Sequence, residues 1–283
     1  MFVGPLPPSP KCPKRLPQAR MTIAIGLWTN DGVLLCADTQ QSIGGGIKTY
    51  DGKVHTHLFS DGKRYKLAFG IAGAGDLDYI TTASAKLMEN FPECKNSKEV
   101  KTILEERWLE FFNKHISPWA HFPKDDRPYV ELLISVSGTN IHPALYHCVG
   151  TAFHSCSKLA IGSGILLADE MIQRYTFGNY KLEQIAILAT YIMARVKHGV
   201  DGCGGSTHFV AMRKGGDIAL SEKKQMDLLE KELLELEAME DKSFVKAMLA
   251  KQLPISWFNK IAVPKKMLVD AMQSTPRKSE PEL

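Results

Sequence analysis

The stretch "RMTIAIGLWTNDGVLLCADTQQ", residues 20–41, decides the fold because it holds two apolar segments around a turn. The segments flank "TNDG", whose Asp31-Gly32 pair is a strong signal for a tight turn. A hairpin that turns here brings its two ends together, about 5 Å apart across the ladder. Asp38 then lies about one residue pair from Thr22, so the sequence predicts a threonine hydroxyl beside a carboxylate.

The segment before Thr22 has a different character. Residues 1–20, "MFVGPLPPSPKCPKRLPQAR", are proline-rich and basic, which is typical of a leader or of an overlong gene start. We expect residues 1–21 to be absent from the mature protein. Methionine before a small residue is a substrate of methionine aminopeptidase, so Met21 can be lost if translation begins there. Thr22 would then carry the free N-terminus.

An N-terminal threonine has a chemistry that an internal threonine lacks. A threonine hydroxyl is a weak nucleophile and needs a base beside it. A free α-amine has an unperturbed pKa of about 7.7–8.0, so near neutral pH it can accept the hydroxyl proton. A neighbouring lysine would lower the pKa of that amine further, and an aspartate would keep the lysine charged and oriented.

Composition and charge exclude several classes of protein. A chain of 283 residues can bury one good core, so one domain with additional ends is expected. The formal charge of +4 is modest and Lys and Arg form no stripe, which argues against nucleic-acid binding. No apolar run has the length of a membrane span, and the proline-rich N-terminus does not resemble a signal peptide. The six cysteines have no paired spacing, so we predict free thiols in the cytoplasm, no bound metal and no cofactor.

Hydrophobic patterning predicts the order of strands and helices. After the hairpin comes a polar, glycine-rich loop over 39–52. Strands are expected at 22–28, 33–38, 53–59, 65–73, 129–138, 142–149, 156–164, 206–213 and 217–220. Helices are expected from Gly75 onward, over 76–116 as a pair, and at 164–175, 182–196 and 221–252.

This order predicts an α+β fold. Hairpin-rich strands with helices arriving in pairs favour antiparallel sheets covered by helix layers over alternating βαβ units. The predicted domain covers residues 22–220. A charged amphipathic helical extension is expected over 221–272, followed by a flexible tail at 273–283.

Several short motifs occur together in a specific order. They are "MTIAIGLWTNDGVLLCADTQ", a lysine in "GKVHTH", "IAGAGDLD", "AIGSGILLAD" and "GCGGSTHFVAM". As an ordered set over residues 22–213 they resemble proteasome β subunits and their bacterial proteasome-like relatives. The resemblance implies the four-layer αββα sandwich of N-terminal nucleophile hydrolases, with two antiparallel sheets covered by helix pairs. It also implies threonine peptidase chemistry.

The resemblance assigns roles to individual residues. Thr22 matches the nucleophile, Asp38 its acidic partner and Lys53 the lysine. Gly75 in "GAGD" matches the glycine whose N–H faces the developing oxyanion, and Ser163 in "GSG" matches a serine near the amine. A rival for the lysine is Lys48, because the loop before Lys53 is one residue shorter than in the family.

Other positions depart from the family. Met21 stands where members that process themselves usually have glycine. Cys203 replaces a serine, and the acidic residue of the same loop falls on Val200, with Asp201 one place along. A cysteine nucleophile at Cys203 is therefore an alternative hypothesis.

Two further patterns have simpler explanations. His55 and His57 lie on one strand face, where metal binding would need a third ligand, so we expect exposed strand residues. The run "GIAGAGDLD" lacks the third glycine of a dinucleotide loop, where Asp78 stands.

The sequence leaves two functions open. The first is a threonine endopeptidase of a self-compartmentalising complex, and the second is a non-catalytic proteasome-like scaffold in which Thr22 keeps its blocked amine. The resemblance implies self-assembly into rings, with the sites facing a chamber that receives unfolded polypeptides from an ATP-dependent unfoldase. We expect ring contacts on the helices at about 76–116 and 163–197, and a further contact at 221–252.

Overall fold

The computed structural model describes residues 22–43, 47–50, 53–60, 66–174, 180–221 and 223–239. The predicted leader over 1–21 and the predicted tail at 273–283 lie outside these residues. Among the described helices, none is long and apolar enough to cross a membrane.

A five-stranded antiparallel sheet contains the predicted N-terminal hairpin. Its strands lie in the order β10-β1-β2-β11-β12. Their bounds are β1 Ile23–Trp28, β2 Gly32–Asp38, β10 Lys158–Gly162, β11 Thr207–Arg213 and β12 Asp217–Leu220. Within the hairpin, Ala24 lies opposite Ala37, which confirms the predicted register.

A second five-stranded antiparallel sheet has its strands in chain order. It consists of β5 Val54–Ser60, β6 Lys66–Gly75, β7 Val130–Gly138, β8 Ile141–Val149 and β9 Ala152–Cys156. The predicted loop at 39–52 was wrong, since β3 Gln40–Ile43 and β4 Ile47–Tyr50 form a separate two-stranded hairpin. The sequence of this hairpin is polar and rich in glycine, so it lacks the apolar alternation that predicts a strand.

Five α-helices lie among the described residues: α1 Leu77–Met88, α2 Ser97–His115, α3 Ile165–Gln173, α4 Leu182–Gly199 and α5 Lys223–Met239. Helix α2 begins where Asn96 caps it, because the Asn96 side chain accepts the N–H groups of Lys98 and Glu99. Helix α5 lies within the predicted extension at 221–272, and the part of that extension from residue 240 onward lies outside the described residues.

Three apolar clusters hold these elements together. Ile25 and Ile185 belong to a cluster between the first sheet and helices α3, α4 and α5. Trp108 belongs to a cluster between the second sheet and helices α1 and α2. Leu35 and Leu133 belong to a third cluster, which joins the two sheets face to face. Inner strands such as β2 and β7 are therefore buried on both faces, which explains their long apolar runs.

The predicted strand at 156–164 is confirmed in its central part as β10, whereas β9 was not predicted. Strand β9 ends at Cys156 in the second sheet, whereas β10 begins at Lys158 in the first sheet. The chain passes between the sheets at Ser157, whose carbonyl accepts the Trp28 N–H at 2.7 Å. Strand β9 was missed because its sequence, "AFHSC", is short and largely polar and has no apolar pattern.

Candidate active site

Thr22 lies at the open end of the hairpin, directly before β1, and is 5 % exposed. Its N–H donates to Ser163 Oγ at 3.1 Å, and the same hydroxyl donates back to the Thr22 carbonyl at 3.1 Å. Gly162 allows this contact, since it has a φ of +97° and an added Cβ would lie 2.3 Å from the Thr22 carbonyl oxygen. The turn after β10 therefore holds Thr22 by its backbone.

Asp38 ends β2 and is fully buried. Its Oδ1 accepts the Thr22 hydroxyl at 2.9 Å and the Ile23 N–H at 3.1 Å. Its Oδ2 accepts the Gly204 N–H at 3.0 Å. A buried carboxylate is costly unless donors surround it, and these donors come from two separate parts of the chain. Asp38 thus fixes the positions of the threonine and of the loop around Gly204.

Lys53 reaches the same point from the other sheet, directly before β5. Its Nζ lies 2.7 Å from Thr22 Oγ1 and 2.7 Å from Asp38 Oδ1. The side chain is 8 % exposed, and burial lowers the pKa of Lys53 although Asp38 opposes this shift. The structure therefore brings Thr22, Asp38 and Lys53 together where the two sheets meet.

The rival lysine lies elsewhere in the fold. Lys48 belongs to β4, where it pairs with Ser42, and its side chain lies outside the described side chains. Lys53 donates to the Thr22 hydroxyl, and the choice of Lys53 over Lys48 stays a prediction.

Gly75 ends β6 at a strand-to-helix turn. Its φ of +122° favours glycine, and an added Cβ would lie 2.1 Å from the Tyr129 carbonyl oxygen. The same Tyr129 carbonyl accepts the Asp76 N–H at 2.8 Å, so a hydrogen bond to the residue before β7 fixes the turn. Helix α1 begins at Leu77, two residues later than Gly75. The oxyanion role of Gly75 stays a prediction.

The loop after α4 reaches the site through other groups than those that the family resemblance implies. Cys203 Sγ lies 3.6 Å from Ser163 Oγ, and burial raises the pKa of the Cys203 thiol. Asp201 is exposed. The loop instead reaches the site through the Gly204 N–H, which binds Asp38. Sequence reasoning missed Gly204 because a backbone donor leaves no side-chain signal.

His55 and His57 are half-buried, so the predicted exposure was wrong. Burial, and then His55, lower the pKa of His57. The described part of the chain contains no group of three or more His, Cys, Asp or Glu side chains that could hold a metal ion.

The arrangement is suited to activating a hydroxyl. Lys53 donates to Thr22 Oγ1, so its positive charge favours loss of the hydroxyl proton. Asp38 keeps Lys53 in place, and Ser163 contacts the nitrogen of Thr22. These contacts surround the hydroxyl and the nitrogen of one residue, as an N-terminal nucleophile requires.

The fold and this site define an α+β protein with a buried threonine between two antiparallel sheets. Solved structures similar to this one include Anbu proteins. A Gly-1 mutant from Hyphomicrobium sp. strain MC1 has a TM-score of 0.60 at 13% identity, covering 77% of this chain and 95% of that chain. Anbu from Yersinia bercovieri, described as an ancestral beta-subunit, has a TM-score of 0.59 at 15% identity, with 82% and 98% covered.

The helical assembly of the Anbu complex from Pseudomonas aeruginosa is similar to the same degree. Its TM-score is 0.59 at 13% identity, covering 82% of this chain and 97% of that chain. No protein-family model matches this chain, and a comparison with curated protein sequences finds no match.

These comparisons correct one prediction. The resemblance to the proteasome β-subunit family was wrong, because the similar structures are Anbu proteins and no family model or curated sequence supports that family. At 13–15% identity the structural similarity establishes the fold alone. The ordered motifs of the sequence follow a fold that more than one family shares.

Proposed function

We propose that the chain is a threonine-type peptidase in which Thr22 is the nucleophile. One observation carries this proposal: buried Thr22 Oγ1 lies 2.9 Å from Asp38 Oδ1 and 2.7 Å from Lys53 Nζ. A threonine that only packs against its neighbours would not require a buried ion pair beside its hydroxyl, so the Lys53–Asp38 pair favours a chemical role for Thr22. An ion pair in this position is costly unless its partners are well placed.

The proposed reaction begins once residues 1–21 are removed. The free amine of Thr22 then takes the hydroxyl proton, and Lys53 stabilises the negative charge on Oγ1 as it attacks the peptide carbonyl. Ser163 Oγ, already 3.1 Å from the Thr22 nitrogen, orients the amine. The Gly75 N–H is proposed to receive the oxyanion at the strand-to-helix turn.

The proposal requires a mature N-terminus at Thr22. We expect the intact mass and N-terminal sequence of active protein to begin at Thr22, since an amide nitrogen cannot accept the hydroxyl proton. A matched sample that keeps residues 1–21 attached should be inactive. Homogeneous, fully active protein that keeps residues 1–21 would contradict the proposal.

The pH dependence of activity is the second expected outcome. Activity should rise with pH as the amine loses its proton, with a midpoint at or below about 7.7–8.0, because Lys53 lowers the pKa of the amine. Burial also lowers the pKa of Lys53, so as the pH rises Lys53 loses its positive charge earlier than an ordinary lysine does. Activity should fall at that higher pH, because the cation beside Thr22 Oγ1 is lost. A bell-shaped kcat/KM profile checks this. A profile that stays flat through neutral pH would argue against the amine as base.

A scaffold role is the alternative. In the full-length chain the Thr22 nitrogen belongs to the peptide bond with Met21, and the contacts with Asp38, Lys53 and Ser163 are made in that state. If the leader stays attached in cells, the same contacts would only stabilise the junction of the sheets. The mass measurement separates the two functions.

Self-assembly is the proposed way to confine such a site. The Pseudomonas aeruginosa protein is described as a helical assembly of the Anbu complex. In this chain, exposed large apolar side chains lie on four helices, as Leu77, Leu109, Leu166 and Leu228. We propose that these helices contact neighbouring copies in rings or open helical turns.

Unfolded polypeptides, supplied by an unfoldase in the cytoplasm, are the proposed substrates.

Native mass spectrometry should detect this assembly. We expect particles of several subunits, in closed rings or open helical turns. Leu166, which is 84 % exposed, is the sharpest probe, and Leu166→Asp should shift the distribution toward monomers. Ser155→Asp, at an exposed position of β9 outside these helices, is the control for one added negative charge. A monomeric wild-type protein that hydrolyses peptides would contradict the assembly.

The three apolar clusters support a helix–sheet–sheet–helix layer order, and we propose the four-layer αββα sandwich on this basis. We also propose the domain bounds 22–220 and a helical extension over 221–272.

A further inference from the structure

A buried ion pair connects the C-terminal helix to the body of the domain. Lys197 on α4 places its Nζ 2.7 Å from Glu230 Oε1 on α5, and the side chains are 8% and 12% exposed. Removing two charges from water is costly, and the attraction between them offsets this only when further hydrogen bonds complete the geometry. Here Lys197 also donates to the Gly205 carbonyl at 2.9 Å, and the Thr207 hydroxyl donates to Glu230.

These additional contacts lie on the loop that reaches the candidate active site. Gly205 follows Gly204, whose N–H binds Asp38 Oδ2. Thr207 begins β11 and lies directly opposite Asp38 in the β11–β2 register. The Lys197–Glu230 pair therefore binds the chain at Gly205 and Thr207, directly after the Gly204 N–H that contacts Asp38.

The opposite side of the loop is fixed by backbone contacts with the start of β3. The Gln40 N–H donates to the Gly204 carbonyl at 3.0 Å, and the Thr39 N–H donates to the Ser206 carbonyl at 3.0 Å. The loop thus lies between the end of β2 and the ion pair. Loss of the pair would leave the loop supported from the side of β2 only.

We propose that Lys197 and Glu230 are positioning residues, which act through the loop at 203–206 to set the Gly204 N–H against Asp38. This inference rests on the proposed function. Neither residue touches Thr22 in the described contacts, and their effect on the reaction passes through Asp38. Helix α5 is then part of the machinery of the site, so a partner that displaces α5 would change the activity of Thr22.

The position of the loop can be measured without any activity. Cys203 in the loop is 5% exposed, so its alkylation by iodoacetamide reports local opening. Cys148 is fully buried in the other sheet and reports global unfolding. In Glu230→Gln we expect alkylation of Cys203 to be about tenfold faster while that of Cys148 is unchanged, because the buried charge of Lys197 has lost its partner. Equal acceleration at both cysteines, or at neither, would overturn the proposal.

Kinetics test the same inference in the active protein. For Glu230→Gln we expect kcat to fall about tenfold with KM nearly unchanged, since Asp38 acts on the reacting hydroxyl and not on substrate binding. The control is Asp217→Asn, which removes the exposed Lys66–Asp217 ion pair at the other end of β11 and should change neither kcat nor Cys203 alkylation. If wild-type protein shows no peptidase activity, the proposed function fails and the alkylation ratio still decides the positioning role.

A double variant separates positioning from stability. Lys197→Met with Glu230→Met removes both charges, and replacement of a buried pair by apolar residues often restores stability. We expect a melting temperature close to wild type, but the loss in kcat and the faster Cys203 alkylation should persist because the loop has lost its contacts. Recovery of kcat together with stability would mean that the pair only stabilises the fold. This variant also serves if Glu230→Gln fails to fold.

Discussion

Replacing Thr22 with alanine is expected to reduce peptide hydrolysis by at least about a thousandfold. The proposed reaction takes its nucleophilic oxygen from this side chain, and no other group supplies it. The folded state should tolerate the change, since Lys53 Nζ and Asp38 Oδ1 remain 2.7 Å apart and keep each other paired. The lost hydroxyl contacts should lower the free energy of unfolding by about 1 kcal/mol. Turnover of fluorogenic peptides and a melting curve measure the two effects.

Two control variants make this result specific. Thr22→Ser keeps a hydroxyl and an amine on one residue and should retain activity. Cys203→Ser should also be tolerated, because the raised pKa of the buried thiol makes Cys203 a poor nucleophile. Retained turnover in Thr22→Ala, together with its loss in Cys203→Ser, would assign the reaction to the cysteine.

The hairpin was predictable because its information is local. The turn lies at Asn30 and Asp31, one residue earlier than the Asp31-Gly32 signal, and closes with the Thr29 N–H donating to the Gly32 carbonyl at 2.8 Å. It sets the register of β1 and β2, and that register brings the end of one strand to the start of the other. The predicted proximity of Thr22 and Asp38 is confirmed at 2.9 Å. Lys53 comes from a different sheet, so no turn or period of the sequence fixes its distance from Thr22. Its predicted place depended on the resemblance.

Other contacts of the site leave no pattern in the sequence. Gly204 acts through its backbone N–H, which every residue except proline possesses. Lys197 and Glu230 look like solvent-facing charges of amphipathic helices, and only the packing of α5 on α4 reveals their burial. Sequence periodicity reports which face of a helix is apolar, but a buried charge breaks that period.

The mistaken family has a similar cause. The motifs that surround Thr22, Gly75 and Ser163 describe turns that this fold needs, such as the positive φ at Gly75 and Gly162. Families that share a fold share those turns, so the motifs identify the architecture more reliably than the family. Families with the same fold differ in the residues outside these turns, and the turn motifs contain no information about those residues.

Lys53→Ala is expected to reduce activity by at least about a hundredfold. Without the lysine charge the hydroxyl proton is harder to remove, and the pKa of the Thr22 amine rises, so less of the amine is free at neutral pH. A lysine that only decorated a strand edge could be removed at little cost. Activity per folded molecule, determined beside a melting curve, measures the effect. Lys48→Ala is the control and should retain activity, and the reverse result would show that the lysine had been aligned wrongly.

The loss in Lys53→Ala has two sources that must be separated. Removing the lysine leaves Asp38 buried without its cation, which should lower the free energy of unfolding by about 3 kcal/mol. The double variant Lys53→Ala with Asp38→Asn removes the unpaired charge and should recover much of this stability. Its activity should stay low, because neutralising the carboxylate does not restore a cation beside Thr22 Oγ1. Recovery of hydrolysis in the double variant would mean that Lys53 stabilises the site without taking part in the reaction.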